Sequence, residues 1–249
     1  LGEIWAHPHD QDELELPEPE NGEIILKISD EQAKFPINYL VTSTGKWRDS
    51  YRQVFFNLLT GPCFQLDQEK ALNIMNAIKD WLDKDDTPET EDGFEQSYYD
   101  AHEMHVKVKN GPLQCLAELQ NIAGITEEIY FGTTGRPGLK DLLTIYTKGK
   151  ININTASNFV LTALIKQDET GVPPDEAWDF ANAMLDYRQD NMHYDELSST
   201  QWYNNLPGAL DIHFFSLITT RSNYFSVLST GKSGEMQARI WTVWELKKV

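Results

Sequence analysis

The feature that most constrains the fold is a change of apolar periodicity between the two ends of the chain and its middle. Near the start, the stretch GEIILKISDE (22–31) has an extended pattern and follows the turn-forming PEPENG (17–22). At the other end, residues 236–246 alternate apolar and polar side chains, which is typical of an antiparallel strand. The stretch STGKSGE (229–235) before them predicts a hairpin loop. Both ends of the chain are therefore predicted to be β-structure.

The middle of the chain has helical spacing instead. From Glu69 to Leu82, apolar residues recur every three or four positions. Four further helices are predicted to begin at Pro112, after Thr126, after INTAS (153–157) and near Pro174. Proline suits the first turn of a helix, and Thr126 suits an N-cap because two glutamates follow it.

A strand-rich unit divided by a helical block indicates an insertion. An isolated hairpin is only marginally stable, so the terminal segments are expected to share one sheet. We predict an α+β fold with a discontinuous antiparallel β-sheet domain, formed by residues 1–41 and 206–249. An all-helical domain of residues 42–205 is inserted into it.

Composition excludes some classes of function. The 249 residues include 39 acidic and 21 basic side chains, giving a formal charge of −18. That charge opposes binding to nucleic acid, whose affinity for proteins depends largely on positive side chains. The sequence also has no apolar run of roughly 18 residues, so it contains no segment expected to cross a bilayer.

Other candidate sites are weak. Cys63 and Cys115 form either one disulfide or two free thiols, because sequence separation does not decide between these states. His7 and His9 could bind a transition metal, but an acidic terminus of this kind usually does not. The stretch HEMH (102–105) is one residue shorter than the metalloprotease motif, so its histidines are predicted to be exposed polar residues.

The stretch DWLDKDDTPETEDGFEQSYY (80–99) contains eight carboxylates. Carboxylates at the C-terminal end of a helix are unfavourable because the helix dipole is negative there. The stretch is therefore either a solvated acidic loop or a loop that binds a hard cation such as Ca²⁺. Asp83, Asp85 and Glu95 could supply carboxylate ligands and Thr87 a carbonyl, although the spacing is not that of an EF-hand.

Several segments, in this order, resemble the GspK family, the large minor pseudopilins of the bacterial type II secretion system. The segments are ISDEQAKFPINYL (28–40), IKDWLDKDDTPETEDGFEQSYY (78–99), PLQCLAELQNIAGITEEIY (112–130), ININTAS (151–157) and RSNYFSV (221–227). The resemblance extends from about residue 23 to the C-terminus. It implies a pseudopilin α/β domain with a large helical insertion, and a structural protein rather than an enzyme.

The resemblance also implies a location and partners. Such a protein is periplasmic and sits at the pseudopilus tip, in a complex with minor pseudopilins of types I and J. An N-terminal helix, expected to be missing from this sequence, anchors the full-length protein in the inner membrane.

The resemblance further implies calcium binding in the helical domain. The family pattern falls here on Asp80, Trp81, Asp83, Asp85, Gly93 and Glu95. Together with Thr87, the acidic residues of this pattern are the predicted metal ligands. The chain departs from the family at Phe94, where alanine is usual, and this puts the packing behind one ligand in doubt.

Alternative functions follow from single features. ININTAS also resembles the opening of helix-hairpin-helix modules, some of which bind DNA. Pro173 and Pro174 cannot donate the backbone N–H groups that hold phosphate, and Asp175 and Glu176 would repel it, so this helix pair is predicted to be structural. A calcium-dependent hydrolase and a binding module for secreted proteins are the alternatives that remain open.

Overall fold

The computed structural model describes residues 22–90, 93–147, 149–167 and 171–247. Its α-helices are α1 (Asp49–Thr60), α2 (Gln68–Leu82), α3 (Gln96–Ala101), α4 (Glu127–Phe131), α5 (Leu139–Leu142), α6 (Asn158–Leu164) and α7 (Pro174–Gln189). Its strands are β1 (Glu23–Asp30), β2 (Phe35–Pro36), β3 (Gly132–Thr133), β4 (Arg136–Pro137), β5 (Leu143–Thr144), β6 (Ile151–Asn152), β7 (Ile218–Thr219), β8 (Tyr224–Ser233) and β9 (Met236–Glu245). The predicted α+β class is confirmed, but the inserted region is not all-helical, because the short strands β3 to β6 lie within residues 42–205.

The largest sheet joins the two ends of the described chain. Its strand order is β1-β8-β9, and both pairings are antiparallel. The β1–β8 ladder extends from Glu23 opposite Lys232 to Asp30 opposite Phe225. The chain therefore leaves the sheet after Asp30 and re-enters it at β8, beside the end of β1. We refer to the region between β1 and β8 as the helical block. The exact domain boundaries given above stay a prediction, and residues 1–21 lie outside the described residues.

The loop of the terminal hairpin is shorter than predicted. Strand β8 continues through the Gly-Lys-Ser stretch to Ser233, which pairs with Met236. Only Gly234 and Glu235 remain to form the turn, and Gly234 has a φ of +56°. Glycine adopts this left-handed conformation without steric penalty, so the strands can extend to a two-residue turn.

One face of this sheet is apolar and exposed. The register places Ile24, Ile28, Ile240 and Trp244 on the same face, because each is an even number of ladder positions from the others. Ile240 is 69% exposed and Trp244 is 60% exposed. We refer to these four residues together with Met236 as the apolar sheet face. The helical block joins the sheet at its Asp30 end and reaches the opposite face, where Tyr146 packs against Trp241.

The hydrophobic core lies in the helical block. Helix α6 packs against both α1 and α7, and α1 also packs against α2. Phe35 of β2 stacks on Phe55 of α1 with ring centroids 5.2 Å apart, and both side chains are fully buried. The short strand β2 is therefore held within the helical core rather than in the three-stranded sheet.

Local capping accounts for two of the predicted helices. Thr126 accepts a hydrogen bond from the backbone N–H of Ile129 at the start of α4, and Ser157 accepts one from Val160 at the start of α6. Helix α7 begins at Pro174 as predicted. Helix α2 begins at Gln68 and is capped by the Asp67 side chain.

The helix predicted from Pro112 is wrong. A 3₁₀-helix forms only at Leu116–Asn121. The side chain of Asn38 accepts from the N–H of Leu113 and donates to its carbonyl, at 2.8 and 3.0 Å. Because both backbone groups of Leu113 are engaged by Asn38, they are not available to a helix at this point.

A buried carboxylate joins the sheet to the helical block. The Asp30 carboxylate accepts hydrogen bonds from Ser222, Thr155 and Asn152, and from the backbone N–H of Gln32. Burial raises the pKa of Asp30, although these donors act in the opposite direction. The neighbouring Glu31, also buried, accepts from the Thr144 hydroxyl at 2.6 Å.

Both cysteines are free. Cys63 is buried, with its thiol 3.2 Å from the carbonyl of Pro137, whereas Cys115 is exposed. Burial raises the pKa of Cys63 to about 11. Of the two states that the sequence left open, the structure shows the free thiols. Across the described part of the chain, no helix combines the length and apolarity needed to cross a membrane.

We expect Asp30→Asn to lower the free energy of unfolding by about 2–3 kcal/mol, because an amide presents a donor where several donors converge. Urea denaturation followed by circular dichroism measures this change. Asp186→Asn on the exposed surface of α7 is the matched control. If Asp30→Asn and Asp186→Asn had the same free energy of unfolding, the Asp30 hydrogen bonds would not be what holds the sheet and the helical block together.

Candidate metal site

The candidate site forms where α2 ends. The helix ends at Leu82, and Asp83 follows it in an extended conformation. Asp80, on the last turn, is fully buried, and Asp83 is 2% exposed. The C-terminal end of the helix thus places two buried carboxylates where the helix dipole disfavours them.

Asp80 holds the acidic loop through hydrogen bonds to the loop backbone. Its carboxylate accepts the backbone N–H groups of Glu89 and Phe94, at 3.1 and 2.8 Å. Burial raises the pKa of Asp80, and these two hydrogen bonds lower it in part. Gly93 is needed for this fold-back, because a β-carbon at that position would lie 2.0 Å from the side chain of Pro88.

Three carboxylates converge beside this loop. Asp83, Asp85 and Glu95 each place one oxygen within 4.8 Å of the others. Asp85 is exposed, whereas Glu95 is only 3% exposed. Within the described residues, Oδ1 of Asp83 and both carboxylate oxygens of Glu95 are buried without a hydrogen-bond partner. Such unpaired oxygens are strongly unfavourable unless a cation or proton compensates them.

Burial and the neighbouring carboxylates raise the pKa values of Glu95 and Asp83. Burial, followed by the charges of Asp80 and Asp83, raises the pKa of Glu95 from 4.5 to about 7. Burial also raises the pKa of Asp83, although Lys79 acts in the opposite direction. The site therefore resists full ionisation when only the protein compensates its charge.

Lys79 forms ion pairs with one of the three carboxylates and with Glu89. Its ammonium group lies 3.1 Å from Oδ2 of Asp83 and 2.7 Å from Oε2 of Glu89. Burial lowers the pKa of Lys79, but the hydrogen bonds with Glu89 and Asp83 outweigh it, so the net shift is upward. Glu89 also accepts from the indole N–H of Trp47 at 2.7 Å.

A tight turn closes the site on another side. Gly45 has a φ of +76°, and a β-carbon there would lie 3.1 Å from the β-carbon of Asp83 and 3.6 Å from Oδ2 of Asp85. Asn110 also holds the loop, because its amide donates to the carbonyl of Asp85 and to the carboxylate of Asp86. Its own Oδ1 is buried and has no partner in the described chain.

The predicted ligands divide into two groups. The structure brings Asp83, Asp85 and Glu95 together. The Asp80 carboxylate binds backbone amides, and the N–H of Thr87 donates to Asp85, so these two residues support the loop. Their assignment as ligands stays a prediction, as does that of the three clustered carboxylates.

Sequence reasoning missed Lys79, Gly45 and Asn110. The spacing of Lys79 and Asp83, four residues apart on a helix, is a signal for an ion pair that could have been found. Gly45 and Asn110 are distant in sequence, and only the tertiary fold brings them to the loop. Phe94 packs its ring against Tyr98, with centroids 4.8 Å apart, which resolves where the larger side chain goes.

The chemistry of the donors fits a hard divalent cation. Three carboxylates offer up to six oxygens, and Ca²⁺ takes six to eight oxygen ligands. One oxygen of each carboxylate lies within 4.8 Å of the others, which is close enough for the three to share one cation.

The histidines of HEMH, His102 and His105, are exposed as predicted. Nδ1 of His102 lies 2.8 Å from the carbonyl of Tyr98, and the two rings are in contact at the end of α3. His7 and His9 lie outside the described residues. In the described ranges, the three acidic residues form the one cluster of metal-ligating groups.

Comparisons with known proteins agree with this architecture. Residues 33–132 match the family "Type II secretion system (T2SS), protein K". The chain is 26% identical to type II secretion system protein K of Pseudomonas aeruginosa over 248 residues, covering 95% of this chain and 68% of the relative. A crystal structure of the GspK–GspI–GspJ complex from enterotoxigenic Escherichia coli matches with a TM-score of 0.64 and 21% identity, covering 92% of this chain and 76% of the solved chain.

The sequence matches and the matching fold show that the chain resembles the minor pseudopilins of type II secretion systems. The predicted resemblance to protein K, or GspK, is confirmed. The family match includes the whole of α2 and the acidic loop, so the candidate site lies inside the region that is shared with the family.

In metal-free protein, we expect the free energy of unfolding to fall as the pH rises from about 4.5 to about 7. The folded state holds the Glu95 proton over this range while the unfolded state releases it, so raising the pH favours unfolding. Urea denaturation in EDTA across this range measures the slope, which Glu95→Gln should reduce. Glu235→Gln, in the hairpin turn, should keep it; an unchanged slope in Glu95→Gln would contradict the assignment.

Proposed function

We propose that this chain is a structural component that caps the pseudopilus tip, in the periplasm, in a complex with minor pseudopilins of types I and J. It performs no catalysis. Calcium bound by Asp83, Asp85 and Glu95 stabilises its helical block. The observation that carries the assembly role is the apolar sheet face, and the observation that supports calcium is the set of buried, unpaired carboxylate oxygens.

The apolar sheet face has the chemistry of a contact surface. Met236, Ile240 and Trp244 are each more than half exposed on the edge strand β9. Exposed apolar patches on water-soluble domains usually mark surfaces that bind another apolar element. Because these residues lie on one side of one sheet, a partner helix laid across it would bury them together.

The proposed partners are those found with a solved relative. The solved relative is GspK in a complex with GspI and GspJ, and we carry this association over to the chain. Resemblance to the family also supports an N-terminal apolar helix that anchors the full-length protein in the inner membrane. We propose that the apolar sheet face packs against helices of this assembly.

The helical block supports a position at the tip. The block emerges from one end of the sheet, beyond Asp30 and Phe225, and contains all seven described α-helices. A body of this size at the end of the sheet would obstruct another subunit stacked above it. A subunit that can be added below but not above is suited to end a filament.

For the assembly role, we expect Ile240→Lys to reduce co-purification with the I- and J-type pseudopilins by tenfold or more, because a charge on the apolar sheet face cannot be buried cheaply. Gln237→Lys places the same charge on the opposite face of β9 and should bind normally. Equal recovery of both variants would contradict the proposed contact, and recovery of secreted proteins without the pseudopilins would favour the binding-module alternative.

For the calcium role, we expect saturating Ca²⁺ to raise the melting temperature by about 5–10 °C at roughly 100 times the dissociation constant. Adding EDTA should reverse the rise. Glu95→Gln should abolish it, and Asp179→Asn on the exposed surface of α7 should retain it. A wild-type protein whose melting temperature and calorimetric titration are both unaffected by Ca²⁺ would refute the metal site.

A further inference from the structure

Lys79 occupies an unusual position for a cation beside a calcium site. It lies on the last turn of α2, and its side chain is 9% exposed. Its ammonium group is in contact with Asp83, one of the three carboxylates that converge, and with Glu89, which closes the loop. A positive charge therefore lies directly against one of the carboxylates that would bind a metal cation.

Lys79 contacts one carboxylate of the candidate site, Asp83, and one residue beside the site, Glu89. It uses Oδ2 of Asp83, whereas Oδ1 of the same carboxylate is buried without a hydrogen-bond partner in the described ranges. Glu89 is held in turn by the indole of Trp47. The ammonium is thus held between two carboxylates, one of which belongs to the candidate site.

We propose that Lys79 is a resident counter-ion that sets the calcium affinity of the acidic site, holding the loop together without metal and weakening calcium binding by its own charge. This inference rests on the proposed calcium site and concerns its regulation. Lys79 is a positioning residue, since it contacts Asp83 and Glu89 rather than supplying an oxygen ligand.

Two opposing effects follow from one charge. In metal-free protein, the ammonium compensates Asp83 and Glu89, so its removal leaves more negative charge unbalanced and destabilises the loop. In calcium-bound protein, the ammonium would repel a dication held by Asp83, because Lys79 contacts the same carboxylate. Charge interactions beside a partly buried carboxylate are large enough to change affinity by about tenfold.

The experiment compares charge-removing and charge-keeping variants. Lys79→Met and Lys79→Gln remove the charge, and Lys79→Arg retains it. Lys70→Met, on the exposed first turn of the same helix, is the matched control, because Lys70 pairs with Asp67 at the other end of α2 from the site. Calcium titration by calorimetry gives the dissociation constant, and thermal unfolding in EDTA and in Ca²⁺ gives the stability of each form.

We expect Lys79→Met and Lys79→Gln to bind Ca²⁺ about tenfold more tightly and to melt at a lower temperature in EDTA. The increase in melting temperature caused by Ca²⁺ should be larger in both than in wild type. Lys79→Arg and Lys70→Met should match wild type. If Lys79→Met does not fold in EDTA, chelator competition on calcium-loaded protein, together with the Lys79→Gln titration, still yields the affinities.

These measurements distinguish a failure of the Lys79 role from a failure of the calcium site. If wild type binds Ca²⁺ and both neutral variants bind it equally or more weakly, the role of Lys79 is refuted while the site stands. If wild type binds no Ca²⁺, the proposed site fails, and the inference fails with it.

Discussion

The pairing of β1 with β8 is the constraint on which the rest of the structure depends. These strands are separated by almost the whole described chain, yet they share a continuous antiparallel ladder from Glu23 to Asp30. The Asp30 carboxylate ends that ladder and accepts hydrogen bonds from Thr155 and Asn152 in the inserted region and from Ser222 before β8. One buried acid therefore fixes the orientation of the helical block at the end of the sheet.

The carboxylates of the candidate metal site differ from Asp30 in how their buried oxygens are satisfied. Asp30 is surrounded by neutral donors that satisfy it, whereas Asp83 and Glu95 keep buried oxygens without partners in the described chain. The first arrangement is satisfied by groups of the protein, whereas the second leaves buried oxygens that a proton, a water molecule or a cation would satisfy. This difference distinguishes a structural carboxylate from a candidate ligand.

The sequence predicted the sheet, the insertion and most of the helices because each depends on local patterning. The period of two in β9 and the caps at Thr126 and Ser157 need no tertiary information. Helix α1 was missed although its apolar residues, such as Val54, Phe55 and Leu58, have helical spacing. The error at Pro112 has another origin, because Asn38 engages the backbone of Leu113 from 75 residues away, and no local pattern indicates this contact.

The candidate site was predictable in part for the same reason. Asp83, Asp85 and Glu95 belong to one acidic stretch, and their convergence needs only a loop that folds back. The engagement of Asp80 with the amides of Glu89 and Phe94 depends on how that loop closes. Gly45 and Asn110 reach the loop through the packing of distant segments, which residue spacing cannot reveal.

The pairing of Asp30 with Phe225 has a consequence for how the helical block is attached. The polypeptide departs from the sheet and rejoins it at adjacent ladder positions, about 5 Å apart, so the two ends of the intervening region lie side by side. An insertion or deletion within that region is therefore compatible with the same sheet when it keeps these ends adjacent and leaves Asn152 and Thr155 on the Asp30 carboxylate.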